Sequence, residues 1–134
     1  VSLHGKTLVP KPKDFKDYYK MFHCLKTVKE NAFINFPGTG VMVFDNSKFT
    51  IPHNLFTYHG MTDLYIAKYC QQNSIPCIVR KHKEGDIALC YNGKDTLFHK
   101  HRSMRLQHKE ILDSILTWKI FLKLTTEENG RIRK

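Results

Sequence analysis

The sequence predicts an α+β fold, a small and partly closed β-barrel with a helical insertion and a long C-terminal helix. Three observations carry this reading. Apolar stretches of strand length fall into two clusters, each punctuated by tight-turn residues. A helix-like segment separates the clusters, and residues 106–124 are apolar nearly all round. Short strands joined by tight turns pair antiparallel, whereas a parallel βαβ sheet needs a long crossover between strands. Such a chain buries its apolar faces by curling the strands on themselves and packing helices against them.

Residues 2–9 alternate loosely and read as a strand, closed by Pro10-Lys11-Pro12. From Asp14 onward Phe15, Tyr18, Tyr19, Phe22 and Leu25 recur at helical spacing, with Lys16, Lys20 and Lys26 among the polar positions. This pattern predicts an amphipathic helix to about residue 30. Residues 33–36, 41–44 and 48–51 read as strands, separated by Pro37-Gly38-Thr39-Gly40 and Asp45-Asn46-Ser47. Thr62 is an expected N-cap with Asp63 in the first turn, so a second helix covers 63–72 and stops near Asn73. Residues 76–81, 86–91 and 96–101 form the second strand cluster, turned at Glu84-Gly85 and Asn92-Gly93. The long helix then carries Ile111, Leu112, Ile115, Leu116, Trp118, Ile120, Phe121, Leu122 and Leu124, interrupted by Lys119 and Lys123. A helix of this kind is buried on more than one side or docks on another domain. Residues 125–134 are polar and are expected to fray.

At 134 residues the chain fits one domain with a substantial core. We divide it into a main domain over 1–105 and a helix with a polar tail over 106–134. No apolar run approaches the roughly 18 residues of a membrane span, and the first ten residues lack the apolar stretch of a secretory signal. A start at Val1 and a finish at Arg131-Ile132-Arg133-Lys134 lead us to expect a piece of something larger. Cys24, Cys70, Cys77 and Cys90 form no CxxC pair. A zinc reading that joins Cys70 and Cys77 to His23 or His82 fits no common finger spacing. The expectation is therefore buried reduced thiols in a cytoplasmic protein, with no metal and no cofactor.

Twenty-two Lys and Arg against twelve Asp and Glu give a net charge of +10. The cations are interleaved with aromatic and apolar residues. Arg80, Lys81, His82 and Lys83 follow Ile78 and Val79, while Lys100, His101, Arg102 and Arg105 follow Phe98. Such a surface neutralises phosphates and offers flat faces to bases or sugars. An acidic protein or an anionic membrane surface is the other kind of partner that charge alone allows. Tyr65 and Tyr69 lie four apart on one helix face with Lys68 beside them. Either the two phenols and the ammonium grip a phosphodiester, or the tyrosines cover the sheet and Lys68 is solvated. Metal-nuclease chemistry finds little support, because Asp45 sits in a turn and neither it nor Glu84-Gly85-Asp86 has a lysine at the required offset. His23 and Cys24 are adjacent, which on a helix points them about 100° apart and argues against a thiol nucleophile. His99 and His101 would share a strand face, but no carboxylate lies near them in sequence. Gly38-Thr39-Gly40 is too short for a phosphate loop.

Residues 62–79 look like the central segment of PAZ domains, the RNA 3′-end-binding modules of Dicer and Argonaute proteins. There a short helix with tyrosines and a Lys-Tyr pair precedes a strand that starts with Pro and an apolar residue. Here the pair is Lys68-Tyr69 and the strand start is Pro76-Cys77-Ile78. Lys13-Asp14-Phe15-Lys16 is similar to the opening of a helix that the Dicer version carries before its barrel strands. Leu112-Asp113-Ser114-Ile115-Leu116, followed by residues 122–128, resembles the connector helix after the Dicer PAZ domain. The chain departs from the family pattern at Leu64, where an aromatic is usual. The resemblance implies an OB-like barrel that binds a duplex with a 3′ overhang inside a Dicer-like, RNase III-type endoribonuclease, without catalysis of its own. It implies a 3′-end site at Tyr65, Lys68 and Tyr69, with Phe44, Phe49 or Phe56 stacked on the terminal nucleotide. Arg80, Lys81, His82, Lys83, Lys100, His101, Arg102 and Arg105 would follow the phosphate backbone. The other expected partners are further domains of the same parent chain, and no membrane.

Overall fold

Strand β1, Gly5–Leu8, is the centre of a three-stranded antiparallel sheet in a computed structural model that describes residues 1–90 and 105–120. On one side it pairs with β2, Tyr18–Phe22, and on the other with β4, Phe36–Pro37. Strand β3, Ala32–Ile34, pairs antiparallel with β5, Cys77–Val79, in a separate two-stranded sheet. One residue, Asn35, separates β3 from β4, so the chain steps from one sheet to the other in a single bend. Ser2 bridges to both Met42 and Val79 and ties the sheets together at a second point. The close approach of β1 to β4 needs a glycine. A Cβ on Gly5 would stand 2.5 Å from Ile34 Cδ1 and 2.7 Å from the Phe36 carbonyl oxygen.

Helix α1, Thr62–Gln72, lies between two apolar clusters. Leu64, Tyr65 and Ala67 pack with Leu8, Met61 and Trp118, and with Ile111 and Leu112 of α2, Arg105–Asp113. Ile66 and Cys70 pack instead with Ile34, Cys77, Val79, Phe22 and Val28. A helix buried on two sides needs polar side chains that satisfy neighbouring backbone, and Gln71 does so. Its amide accepts the Lys119 N–H at 2.7 Å and donates to the Lys119 oxygen at 3.4 Å. Asn35 treats β1 likewise, accepting the Leu8 N–H at 2.7 Å and donating to the Leu8 oxygen at 3.1 Å.

The α+β class holds, but the described residues form two open antiparallel sheets and no closed barrel. The predicted helix from Asp14 to about residue 30 is a turn followed by β2. Asp17 Oδ2 accepts the Lys13 and Asp14 amides, and Asp14 Oδ1 accepts that of Lys16, which diverts the backbone from helical pairing. Aromatic residues then suit an edge strand beside β1. Lys6 joins this edge, with its ammonium 4.9 Å from the Phe15 ring, 5.2 Å from Tyr18 and 5.5 Å from Phe36. Residues 41–44 make one bridge rather than a strand, while 48–51 and 86–90 are irregular. Met61, rather than Thr62, takes the N-cap position of α1. Helix α2 stops at Asp113, and the chain turns so that Trp118, fully buried, donates its backbone N–H to Pro10 at 2.8 Å. The predicted strand at 96–101, the turn at Asn92-Gly93 and residues 121–134 lie outside the described residues.

Candidate nucleic-acid interface

Asp45 closes the turn at the centre of the site. Its Oδ1 accepts the Ser47 N–H at 3.0 Å and the Ser47 hydroxyl at 2.6 Å. These bonds, the hydroxyl's first, hold its carboxyl below the ordinary range, so it stays ionised near neutrality. The turn doubles the chain back, and Phe49 stacks on Phe44 with centroids 5.6 Å apart and planes at 24°. Phe49 also meets Tyr69 of α1 at 6.3 Å. The Tyr69 hydroxyl donates to the Thr50 oxygen at 3.0 Å and pins the loop to the helix.

Behind these rings lies a pocket of about 500 Å³. Met42, Phe44 and Phe49 line one wall, Ile66 and Cys70 of α1 another, and Cys77 and Ile78 of β5 a third. Asp45 and Lys48 add charges and pair at 3.5 Å in a largely exposed contact. Phe44 is 44% exposed and Val43 is 73% exposed, so apolar surface continues outward from the pocket. Within it the Cys70 and Cys77 thiols are neighbours: Cys70, then burial, pushes the Cys77 thiol up, and Cys77 holds that of Cys70 down.

Phe44, Phe49 and Tyr69 are thus brought together as a group, and the other expected contacts are not. Tyr65 is 3% exposed, its hydroxyl 2.6 Å from Thr57 Oγ1 and accepting the Tyr58 N–H at 3.1 Å. The sharing of a helix face by Tyr65 and Tyr69 holds, but that face runs from core to surface, so Tyr65 belongs to packing. Phe56 sits edge-on to Tyr65 at 5.9 Å and does not line the pocket. Lys68 is half-buried on α1 and also does not line it.

Arg80, Lys81 and Lys83 are exposed along the chain leaving β5. Their backbone is fixed by the Arg80 N–H to Ser2 at 3.0 Å, Lys81 to Asn31 Oδ1 at 2.8 Å and Lys83 to Asp86 Oδ2 at 2.8 Å. His82 departs from its expected role. It is 8% exposed, pairs with Val28 through the backbone, and directs Nδ1 at the Arg80 oxygen at 2.8 Å. Lys100, His101 and Arg102, and the side chain of Arg105, lie outside the described residues. The pocket's apolar walls at Met42, Ile66, Cys70 and Cys77 were not expected, because residues far apart in sequence converge only through the fold. Ser2 was missed for the same reason: its hydroxyl donates to the His4 oxygen at 2.7 Å and lies 2.9 Å from that of Gly38. No family model matches the chain, and no curated protein matches it.

Proposed function

We propose that this chain is an RNA-end-binding module of PAZ type, holding the 3′ overhang of a duplex within a Dicer-like ribonuclease. The observation that carries the reading is the apolar pocket lined by Phe44 and Phe49, with Tyr69 against the Phe49 ring and Lys48 and Asp45 also in its lining. About 500 Å³ is within the range of small-ligand sites and takes one nucleotide. The exposed Phe44 ring is a platform for a base. Lys48 meets the last phosphodiester, and ionised Asp45 accepts hydrogen bonds from the terminal ribose hydroxyls. A ligand read through its 2′-hydroxyl is RNA rather than DNA. Arg80, Lys81 and Lys83 offer charge to phosphates further along the strand. On this reading the residues beyond α2 connect to other domains of the parent. The domain holds a phosphodiester and does not cleave it.

Binding should be measured with labelled RNA duplexes that carry a two-nucleotide 3′ overhang, a blunt end, or an overhang with a 3′-phosphate. The hydroxyl-ended overhang should bind tightest, since Asp45 repels a terminal phosphate. Phe44→Ala with Phe49→Ala should weaken it by roughly tenfold while changing blunt-duplex binding much less. Tyr69→Ala, which releases the loop that carries Phe49, should also act mainly on the overhang. Equal affinity for all three RNAs would favour a basic single-strand-binding or protein-interaction domain, a reading to which the exposed Val43 and Phe44 also lend themselves.

A further inference from the structure

We infer that His4, His23 and Cys24 form a site for a borderline-soft divalent transition metal of the zinc class. Gly5 lies opposite Phe22 in the β1–β2 ladder, so the next residues outward, His4 and His23, meet at the end of the strand pair. Their rings sit edge to face at 5.1 Å and 87°. Cys24 follows in the turn, and the three potential ligand atoms all lie within 4.8 Å of one another. Among the described residues no other group of three His, Cys, Asp or Glu side chains is so gathered.

His4 is held ready for such a role. Its backbone N–H donates to Ser2 Oγ at 3.1 Å, and its ring rests on Gly38, where a Cβ would stand 2.6 Å from His4 Cδ2. His4 Nδ1 is buried without a hydrogen-bond partner. A buried polar atom left unpaired is unfavourable, and a metal bond to it removes that penalty. Burial, then the neighbouring His23, holds the His4 imidazole below its usual range and keeps a lone pair free. Asp63 also acts on His4, supplying a negative charge near the site. His23 Nδ1 accepts the Leu25 N–H at 3.2 Å. Ligation displaces that one long hydrogen bond, either at Nδ1 itself or through the tautomer change that frees Nε2. Cys24 binds as thiolate and releases its proton to solvent. Two imidazoles and one thiolate suit zinc or cobalt and do not suit magnesium or calcium. Three protein ligands leave the fourth tetrahedral position to water.

The test is titration of the metal-free chain with cobalt(II) alone, followed by zinc(II). A single equivalent should bind with a thiolate-to-cobalt charge-transfer band and the strong visible bands of tetrahedral cobalt, and zinc should erase both. Cys24→Ser should abolish the charge-transfer band, and His4→Gln should weaken binding by at least about tenfold. Thermal unfolding of each metal-free variant reports whether the fold is kept. If His4→Gln unfolds, His23→Gln must give the same loss of affinity. No saturable binding, unchanged affinity in His23→Gln, or a thiolate band that survives in Cys24→Ser would each overturn the site.

Discussion

Asn35 stands in for a strand. Its amide satisfies both backbone groups of Leu8, and its Nδ2 reaches the Lys119 oxygen at 3.3 Å. Asn35→Ala leaves a buried N–H and a buried carbonyl without those partners, so unfolding by denaturant should register a loss of about 2–4 kcal/mol. Asn35→Asp should be no better, because a carboxylate would then face two carbonyl oxygens. Nothing in the sequence marks this residue, since its partners are distant and its neighbours read as an ordinary strand. The Lys68-Tyr69 pair is a local feature of the sequence, whereas the meeting of Tyr69 with Phe49 and Phe44 is decided by the fold. The burial of Tyr65 follows the alternative in which the tyrosines cover the sheet, whereas that of His82 was not expected, because exposure is decided by what packs on top. The fully buried Trp118, whose Nε1–H donates to the Leu112 oxygen at 3.3 Å, was expected only as part of a longer helix.

Elements were legible where one pattern dominated. Helix α1 appears where the N-terminal signal at Thr62 and Asp63 and the stop at Asn73 placed it. The spacing of Phe15, Tyr18, Tyr19, Phe22 and Leu25 fits a helix equally well, yet β2 forms because β1 supplies a partner and Asp14 and Asp17 hold a turn before it. The β1–β4 contact depends on the missing side chain at Gly5. Gly5→Ala brings a methyl against the Phe36 carbonyl, which cannot rotate away as a side chain would. It should lower stability by about 1–3 kcal/mol in thermal or denaturant unfolding, by forced backbone displacement. A variant as stable as the parent would mean that the two strands have room to separate.

For the molecule as a whole, charge was the clearest signal, and the open arrangement of two sheets the least clear. Hairpin-like clusters suggest closure, whereas the chain uses a one-residue step at Asn35 and two bridges at Ser2. Acidity should test this framework, because His4 sits where β1 meets β2. Its folded pKa lies below the ordinary 6.5, so the unfolded chain takes up more protons between the two values. The stability this contributes is full above 6.5 and is lost as pH falls through the lowered folded value. The melting temperature of the metal-free protein should therefore drop on acidification through this window. His4→Gln should flatten that part of the profile, and an unaltered slope would remove His4 as its source. Helix α1 places Cys70 against the pocket and, one residue later, Gln71 on the Lys119 amide. Any tilt of that rod which makes room for an occupant must tug on Lys119, so the cleft and the tail of the described chain move as ends of one lever.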